Sequence, residues 1–390
     1  MAGFSSLDNM ITNITTNGKS WRADWNKILL AGNQAAGIWY CHATATGNPG
    51  QSAMMLAGGA NLTFNSMTQE TLGTGAQISG GIYHGGNVGA AGDGFKQIMN
   101  ASVYSSVAAS APTVWMLVDV LGFYTLTGPT VTTEQVFVNG VTATFANATE
   151  VVTHTGIDFQ PYTKVRLTNS GGAVPAGLAL LTDYWTIRQS ASTSKLASSF
   201  ANAIAGTAID FTTDGTGTNT ITARLPRYSD GAGVQCCLSP SVTMGAMTGT
   251  MTLKYANSAA TPATGKLTPA PLPLITTGAA LSSISHSGSG AQKFGPGIPL
   301  AAGDSGISMA TTVTFSSTQT SGIVNNVILF KPLLTLPLTT VAVAAERDCL
   351  NQIASLPRVY DGACLMWMNY AGATHTAATN YFGHIDFGWS

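Results

Sequence analysis

The chain has 390 residues and a formal net charge of −1, and only 8% of it is Asp, Glu, Lys or Arg, against about 25% in an ordinary soluble domain. Its 16 basic residues are scattered, which excludes a nucleic-acid footprint, and a hydrophobic content of 45% excludes a disordered chain. A surface of Thr, Ser, Asn and Gly makes many hydrogen bonds and repels little, which suits a large assembly better than a free monomer.

Residues 5–17 read as a short helix. Ser5 or Ser6 caps it, Leu7, Met10, Ile11 and Ile14 share one face, and Asn17-Gly18 ends it. Met1-Ala2-Gly3-Phe4 has neither the basic start nor the apolar run of a secretory signal. From Lys19 to Lys27, Trp21 and Trp25 lie four apart beside Arg22 and Asp24, the spacing of one face of a second short helix. Two readings stay open: a pair of core anchors, or a subunit-contact arm carried by Trp21, Arg22 and Trp25.

From Gly37 to Pro129 short apolar runs alternate with Gly, Asn and Ser. Residues 38–41, 61–64 and 97–99 are expected strands, as are 251–255 and 311–315 in the later part of the chain. The two most apolar segments, 107–126 and 323–345, are expected to be buried β-strand pairs. Pro112 and Asp119 in the first, and Asn325, Asn326, Lys331, Pro332 and Pro337 in the second, argue against membrane spans. A linker rich in Pro and Thr covers 258–274, a helix is expected over 343–353 with Glu346, Arg347 and Asp348 exposed, and residues 381–389 read as a last strand paired into a sheet. The five cysteines (Cys41, Cys236, Cys237, Cys349, Cys364) are odd in number and lack CxxC spacing, so reduced buried thiols are expected.

The sequence repeats itself. Leu225-Pro226-Arg227-Tyr228-Ser229-Asp230-Gly231-Ala232 returns as Leu356-Pro357-Arg358-Val359-Tyr360-Asp361-Gly362-Ala363. Upstream, Ala90-Ala91-Gly92-Asp93-Gly94 matches Ala301-Ala302-Gly303-Asp304-Ser305-Gly306, and the apolar run 114–121 matches 327–334, in the same order. Asp304 to Leu356 is 52 positions and Asp93 to Leu225 is 132, so the first copy carries 80 extra positions between Leu126 and Leu225. In each motif Pro ends the preceding element and Asp-Gly makes a tight turn. Arg227 and Asp230, and Arg358 and Asp361, lie three apart in both copies and are expected to pair across that turn as structural clasps.

Residues 142–224 differ in texture. They hold Lys164-Val165-Arg166-Leu167, Pro175-Ala176-Gly177-Leu178, Asp183-Tyr184-Trp185-Thr186-Ile187, Leu196-Ala197-Ser198-Ser199, Gly206-Thr207-Ala208-Ile209-Asp210 and Gly215-Thr216-Gly217-Thr218. These resemble, in order, a small immunoglobulin-like β module inserted in virion and tail proteins of tailed bacteriophages. Where that family has His-Gly-Leu near its start, this chain has Phe159-Gln160-Pro161. The opening Ser6-Leu7-Asp8-Asn9-Met10-Ile11 and the closing Gly383-His384-Ile385-Asp386-Phe387-Gly388-Trp389 also resemble phage virion structural proteins.

The six histidines, His42, His84, His154, His286, His375 and His384, show no metal-ligand spacing on one element, and each reads first as a loop or sheet residue. No Gly-x-Ser-x-Gly, phosphate loop or HExxH is present. Paired carboxylates for glycoside cleavage are not indicated by any spacing. No catalytic, cofactor or metal residue is therefore assigned.

The resulting expectation is an all-β protein of two related β-sandwich or jelly-roll-like halves. Residues 1–36 form a helical arm, 37–141 with 225–257 the first half, 142–224 the guest module, 258–274 the linker and 275–390 the second half. The phage resemblance implies a non-enzymatic capsid decoration (cement) protein on the exterior of the virion, assembled in the host cytoplasm. Its implied partners are the major capsid protein, further copies of itself and, through the guest module, host-surface glycans; nucleic acid and membrane are not expected partners. A tail, neck or fibre component with a glycan-binding role is the alternative, and a virion-associated polysaccharide-cleaving enzyme the second alternative.

Overall fold

The computed structural model describes residues 4–29, 34–57, 62–69, 79–85, 95–127, 132–241, 249–258, 266–267, 272–273, 284, 295–318, 324–352 and 355–390. The repeat element at 90–94, His286 and most of the 258–274 linker lie outside them. Helix α1 (Leu7–Ile11) is capped by Ser6, whose hydroxyl accepts from the Asn9 amide at 3.0 Å, and it runs on as a π turn over Thr12–Thr16. Only Met10 of its expected apolar face is buried, while Leu7 and Ile11 are exposed.

The second expected helix is a strand, β1 (Ser20–Ile28). A spacing of four is even, so it also satisfies the period of two of a strand. Ala23, Trp25 and Lys27 alternate inward on that face. The buried Lys27 ammonium donates to the carbonyls of Pro49 at 2.7 Å and Ala45 at 3.2 Å, and burial pushes its pKa down to about 8. Residues 20–28 are thus part of the body and not of an arm.

The chain continues through β2 (Trp39–Cys41), β3 (Thr46–Asn48), α2 (Ala53–Ala57), β4 (Phe64–Ser66), β5 (Phe95–Val103), β6 (Thr113–Thr127) and β7 (Gln135–Val136). A guest unit follows, made of β8 (Gly140–Ala146), β9 (Val151–His154), β10 (Lys164–Ser170), β11 (Asp183–Ser190), β12 (Thr193–Ala197), α3 (Phe200–Ile204) and β13 (Thr218–Ala223). Next come β14 (Gln235–Pro240), β15 (Thr250–Asn257), β16 (Lys266–Leu267), β17 (Leu272–Pro273), β18 (Ile307–Phe315), β19 (Val324–Leu338) and β20 (Ala345–Asp348). The last elements are α4 (Cys349–Gln352), β21 (Arg358–Tyr360), β22 (Leu365–Ala371) and β23 (Asn380–Gly388). The protein is all-β, as expected.

The body has a central sheet ordered β14-β19-β6-β22-β2, flanked by one sheet ordered β20-β5-β23-β1-β3 and another ordered β16-β15-β18-β7. The repeats explain this order. By position after the matching motifs, β5, β6, β7, β14 and β15 of the first copy correspond to β18, β19, β20, β22 and β23 of the second. Every pairing among these ten strands crosses between copies. β5 pairs with β20 and β23, and β18 pairs with β7 and β15. β6 pairs with β22, β19 with β14, and β6 with β19 along 15 residues each.

The β6–β19 register is itself two-fold symmetric. Thr113 lies opposite Leu338 and Thr125 opposite Asn326; exchanging copies by the 114/327 match turns the first pair into the second. The two copies are therefore interlocked around a pseudo-two-fold axis instead of standing as separate halves. Both long strands are nearly continuous apolar runs because both of their faces are buried.

The expected 343–353 helix survives only as the short α4. Its first part is the edge strand β20, where Glu346 accepts from the Asn100 amide across the ladder at 2.6 Å. The described linker residues form β16 and β17, both paired with β15, so this part belongs to a sheet. The guest module is all-β as expected, with its six strands joined in one closed barrel, β10-β11-β12-β9-β8-β13, instead of two facing sheets. It enters the first copy between β7 and the Leu-Pro-Arg motif, where the second copy has α4.

Three cores follow from this plan. Trp25, Ile98, Tyr381 and Phe387 meet Trp115, Leu336 and Trp367 on one side of the central sheet. Leu253, Val313 and Phe315 meet Leu121, Val327 and Leu329, and this core is continuous with the barrel interior through Phe145, Val165, Leu167 and Phe211. Val118, Phe123, Ile328 and Phe330 face Met55, Met67 and Trp39 in the third. All five cysteines are buried and unpaired, and burial raises each thiol above its ordinary pKa. Among the described residues no helix is long and apolar enough to cross a membrane.

Candidate functional site: a cleft between the paired motifs and the guest barrel

The first motif meets the start of β18. Ala232 bridges to Gly306, and Gly231, at φ +76°, sits so close to Ile307 that a Cβ would strike its backbone. The second motif meets the start of β5, with Val359 opposite Lys96 and Tyr360 opposite Phe95. Each motif thus docks on the other copy.

The expected pairing of Arg with Asp inside each turn is not made. Arg227 reaches instead across the fold to Asp119 on β6: Nε donates to Oδ2 at 2.8 Å and Nη2 to Oδ1 at 2.6 Å. Nη2 also donates to Val120 O at 2.9 Å and Met67 O at 3.1 Å, and Asp119 Oδ1 accepts from the Cys364 amide at 3.0 Å. Burial alone would lower the Arg227 pKa; the Asp119 carboxylate more than offsets this, and the net shift is upward. Asp230 is exposed and caps its own turn, its Oδ1 accepting from the Ala232 amide at 3.1 Å.

In the second motif, Asp361 faces Lys96 at 3.3 Å, both fully desolvated. Lys96 Nζ also donates to His84 Nδ1 at 2.9 Å, and His84 Nε2 donates to Ala363 O at 2.9 Å, a pattern that only the neutral imidazole satisfies. Burial and then the Lys96 charge hold His84 well below its ordinary pKa. Arg358 lays its guanidinium 4.1 Å from the Tyr360 ring centre.

The three residues read as an arm separate on β1. Trp25 is a core anchor, 4.9 Å from Trp367 and 5.4 Å from Trp115 between ring centres. Trp21 is 38% exposed and edge-on to Tyr83 at 5.4 Å. Arg22 is exposed and makes a bidentate pair with Asp386 on β23, at 2.7 and 2.9 Å.

The two motifs and the barrel enclose a cleft of about 530 Å³. Motif tyrosines Tyr228 and Tyr360 form a corner, with ring centres 5.2 Å apart and planes at 89°. Trp185 and Phe200 of the barrel form the opposite wall. Gly362 permits this approach, since a Cβ there would lie 2.9 Å from the Phe200 ring.

Two ammonium groups enter the cleft. Lys331, from the middle of β19, donates to Ala232 O at 2.7 Å and sits 5.4 Å from the Tyr228 ring centre. Lys164, from β10, donates to Ser229 Oγ at 3.0 Å and sits 5.1 Å from the Trp185 ring centre. Burial lowers the Lys331 pKa while Asp230 opposes that shift, and burial raises that of Tyr228. The Tyr228 hydroxyl is buried and has no hydrogen-bond partner among the described residues.

Sequence reasoning found Arg227, Asp230, Arg358 and Asp361 but missed Asp119, Lys96, His84, Lys164, Lys331 and Trp185. The available signal for two of them was an isolated charge in a matched apolar run: Asp119 in 114–121 and Lys331 in 327–334. Among the described residues no group of three or more His, Cys, Asp or Glu side chains is placed to hold a metal. What the cleft offers is recognition: flat aromatic walls, two cations, one carboxylate and an unmet hydroxyl. Comparison with known proteins returned no matching family model and no matching curated protein.

Proposed function

We propose that this chain is a bacteriophage virion structural protein, a decoration or cement subunit bound to the outside of the head that works by gripping surfaces and not by turnover. The observation that carries the reading is the interlock. Each flanking sheet contains strands of both copies; the first motif bridges to β18 and the second pairs with β5, where the buried Lys96–Asp361 pair fastens it to the opposite copy. The edge strands β7, β14 and β20 come away only by opening a backbone ladder shared with the other copy, which is what a subunit under outward load requires. Its partners on this reading are the major capsid protein and further copies of itself, through interfaces of about 1,600 Å² each repeated by symmetry. The low surface charge fits packing at high density on a particle. The test is quantitative gel staining of purified virions together with melting of heads lacking the protein. The reading requires many copies per head and a lower melting temperature without them; unaffected heads overturn it.

The cleft favours a second reading, a tail, neck or fibre component with a glycan-binding role. Aromatic walls with flanking hydrogen-bonding groups are the usual construction of a site for a small polar ligand. That reading requires low copy number at one vertex of the particle. On either reading the site is repeated on the virion, so weak individual contacts sum to firm attachment.

A further inference from the structure

We infer that the cleft between the motif tyrosines and the guest barrel binds an acidic saccharide, a sugar bearing a carboxylate, with Lys331 as the group that selects the charge. The inference rests on reading the cleft as a saccharide site and adds the ligand class.

Three features of the cleft converge. Tyr228 and Tyr360, standing at 89° to each other, present flat apolar surface to the C–H face of a sugar ring, with Trp185 opposite. Lys331 spends one of its three N–H groups on Ala232 O and makes no ion pair within 4.0 Å with any described residue, so two donors stay available. Tyr228 lines the cleft, and its buried hydroxyl has no hydrogen-bond partner among the described residues. Lys331 lies 5.4 Å from the Tyr228 ring centre, so a carboxylate held by the ammonium keeps its sugar ring beside the Tyr228 face. A hydroxyl-bearing ligand also finds Asp230 as an acceptor at the rim.

Charge separates the candidate ligands. A neutral sugar would use the rings and leave the Lys331 ammonium with only the Ala232 carbonyl and the more distant Asp230 carboxylate. An inorganic anion would use the ammonium and leave the aromatic walls bare. Only a carboxylated sugar uses both, and the volume of about 530 Å³ falls in the usual range for such sites.

The experiment is binding of the full chain to a panel of immobilised saccharides, uronate-containing, sialylated and neutral, followed by solution titration of the best binder with Trp fluorescence. Lys331→Met keeps the aliphatic stem and removes the charge; Tyr228→Phe removes only the hydroxyl. The inference expects carboxylated sugars to dominate the panel, with affinity falling about tenfold or more in Lys331→Met and less in Tyr228→Phe. Equal binding of neutral and acidic sugars overturns the charge selection while leaving a saccharide site, and unchanged affinity in both variants overturns the placement. No binding to any sugar on the panel overturns the saccharide reading itself. Unaltered melting of Tyr228→Phe shows that its loss of affinity is not a loss of fold.

Discussion

The two copies of the Leu-Pro-Arg motif each dock on the other copy but differ in backbone, with Tyr228 and Gly231 at positive φ while Val359, which matches Tyr228, lies in β21, and in every ionic partner. Arg227 is buried and held bidentately by Asp119, while its counterpart Arg358 lies on the ring of Tyr360. The position matching Asp119 in the second copy is Pro332, so a buried arginine there would find no carboxylate. Conversely Asp361 is buried against Lys96, and the equivalent Asp230 is exposed and serves its own turn. Strand β18, where the first motif docks, carries no lysine that matches Lys96. Matching local sequences thus take different turns, and each buried charge persists only where a residue outside the motif supplies its complement, Asp119 of the same copy for Arg227 and Lys96 of the other copy for Asp361.

Removing one complement gives the largest expected effect. Asp119→Ala leaves Arg227 charged and buried, at a cost of about 3–5 kcal/mol in chemical denaturation, and Asp119→Leu with Arg227→Met recovers most of it. A loss under about 1 kcal/mol for Asp119→Ala would show that the two motifs are not ionically distinct. Asp361→Ala is expected to cost about 3 kcal/mol, somewhat less because Lys96 keeps its bond to His84.

The motif-2 network adds a dependence on pH that motif 1 lacks. His84 is held well below its ordinary 6.5, and outside that network burial, against the opposing Asn369 hydrogen bond, pushes His42 down to about 3. Their folded pKa values lie below the unfolded ones, so the unfolded chain binds more protons below about pH 6.5 and stability falls as pH falls. Each histidine contributes up to about 1.4 kcal/mol per pH unit to that slope. Denaturation at stepped pH from 7 to 4.5 measures it, and His84→Gln is expected to flatten it by about one histidine's share. An unchanged slope contradicts the neutral, buried assignment. The smallest effects belong to the half-buried Arg358 and the exposed Asp230: Arg358→Ala at about 1 kcal/mol, and Asp230→Ala at about 0.5–1 kcal/mol through its turn.

What could be read in the sequence follows the same division. The motifs, the turn residues, the Ser6 cap and the 80-residue surplus are local or arithmetical, and each has a place in the structure. Arg227 finds a partner 108 residues away, and no local rule names that partner. Asp119 and Lys331 were visible only as charges out of place in apolar runs. Segment 19–27 was misread because a spacing of four fits both periods, and the deciding residue, Lys27, is a charge turned inward to backbone carbonyls. The reciprocal docking was equally hidden, since two repeats predict two halves just as readily as one interlocked body.

Native-state hydrogen exchange resolved along the chain tests the interlock most directly. Because β5 pairs with β20 and β23, β6 with β19 and β22, and β15 with β18, the strands of both copies open with one common free energy. Two separated classes, one for 95–127 with 235–257 and one for 307–388, would contradict the account.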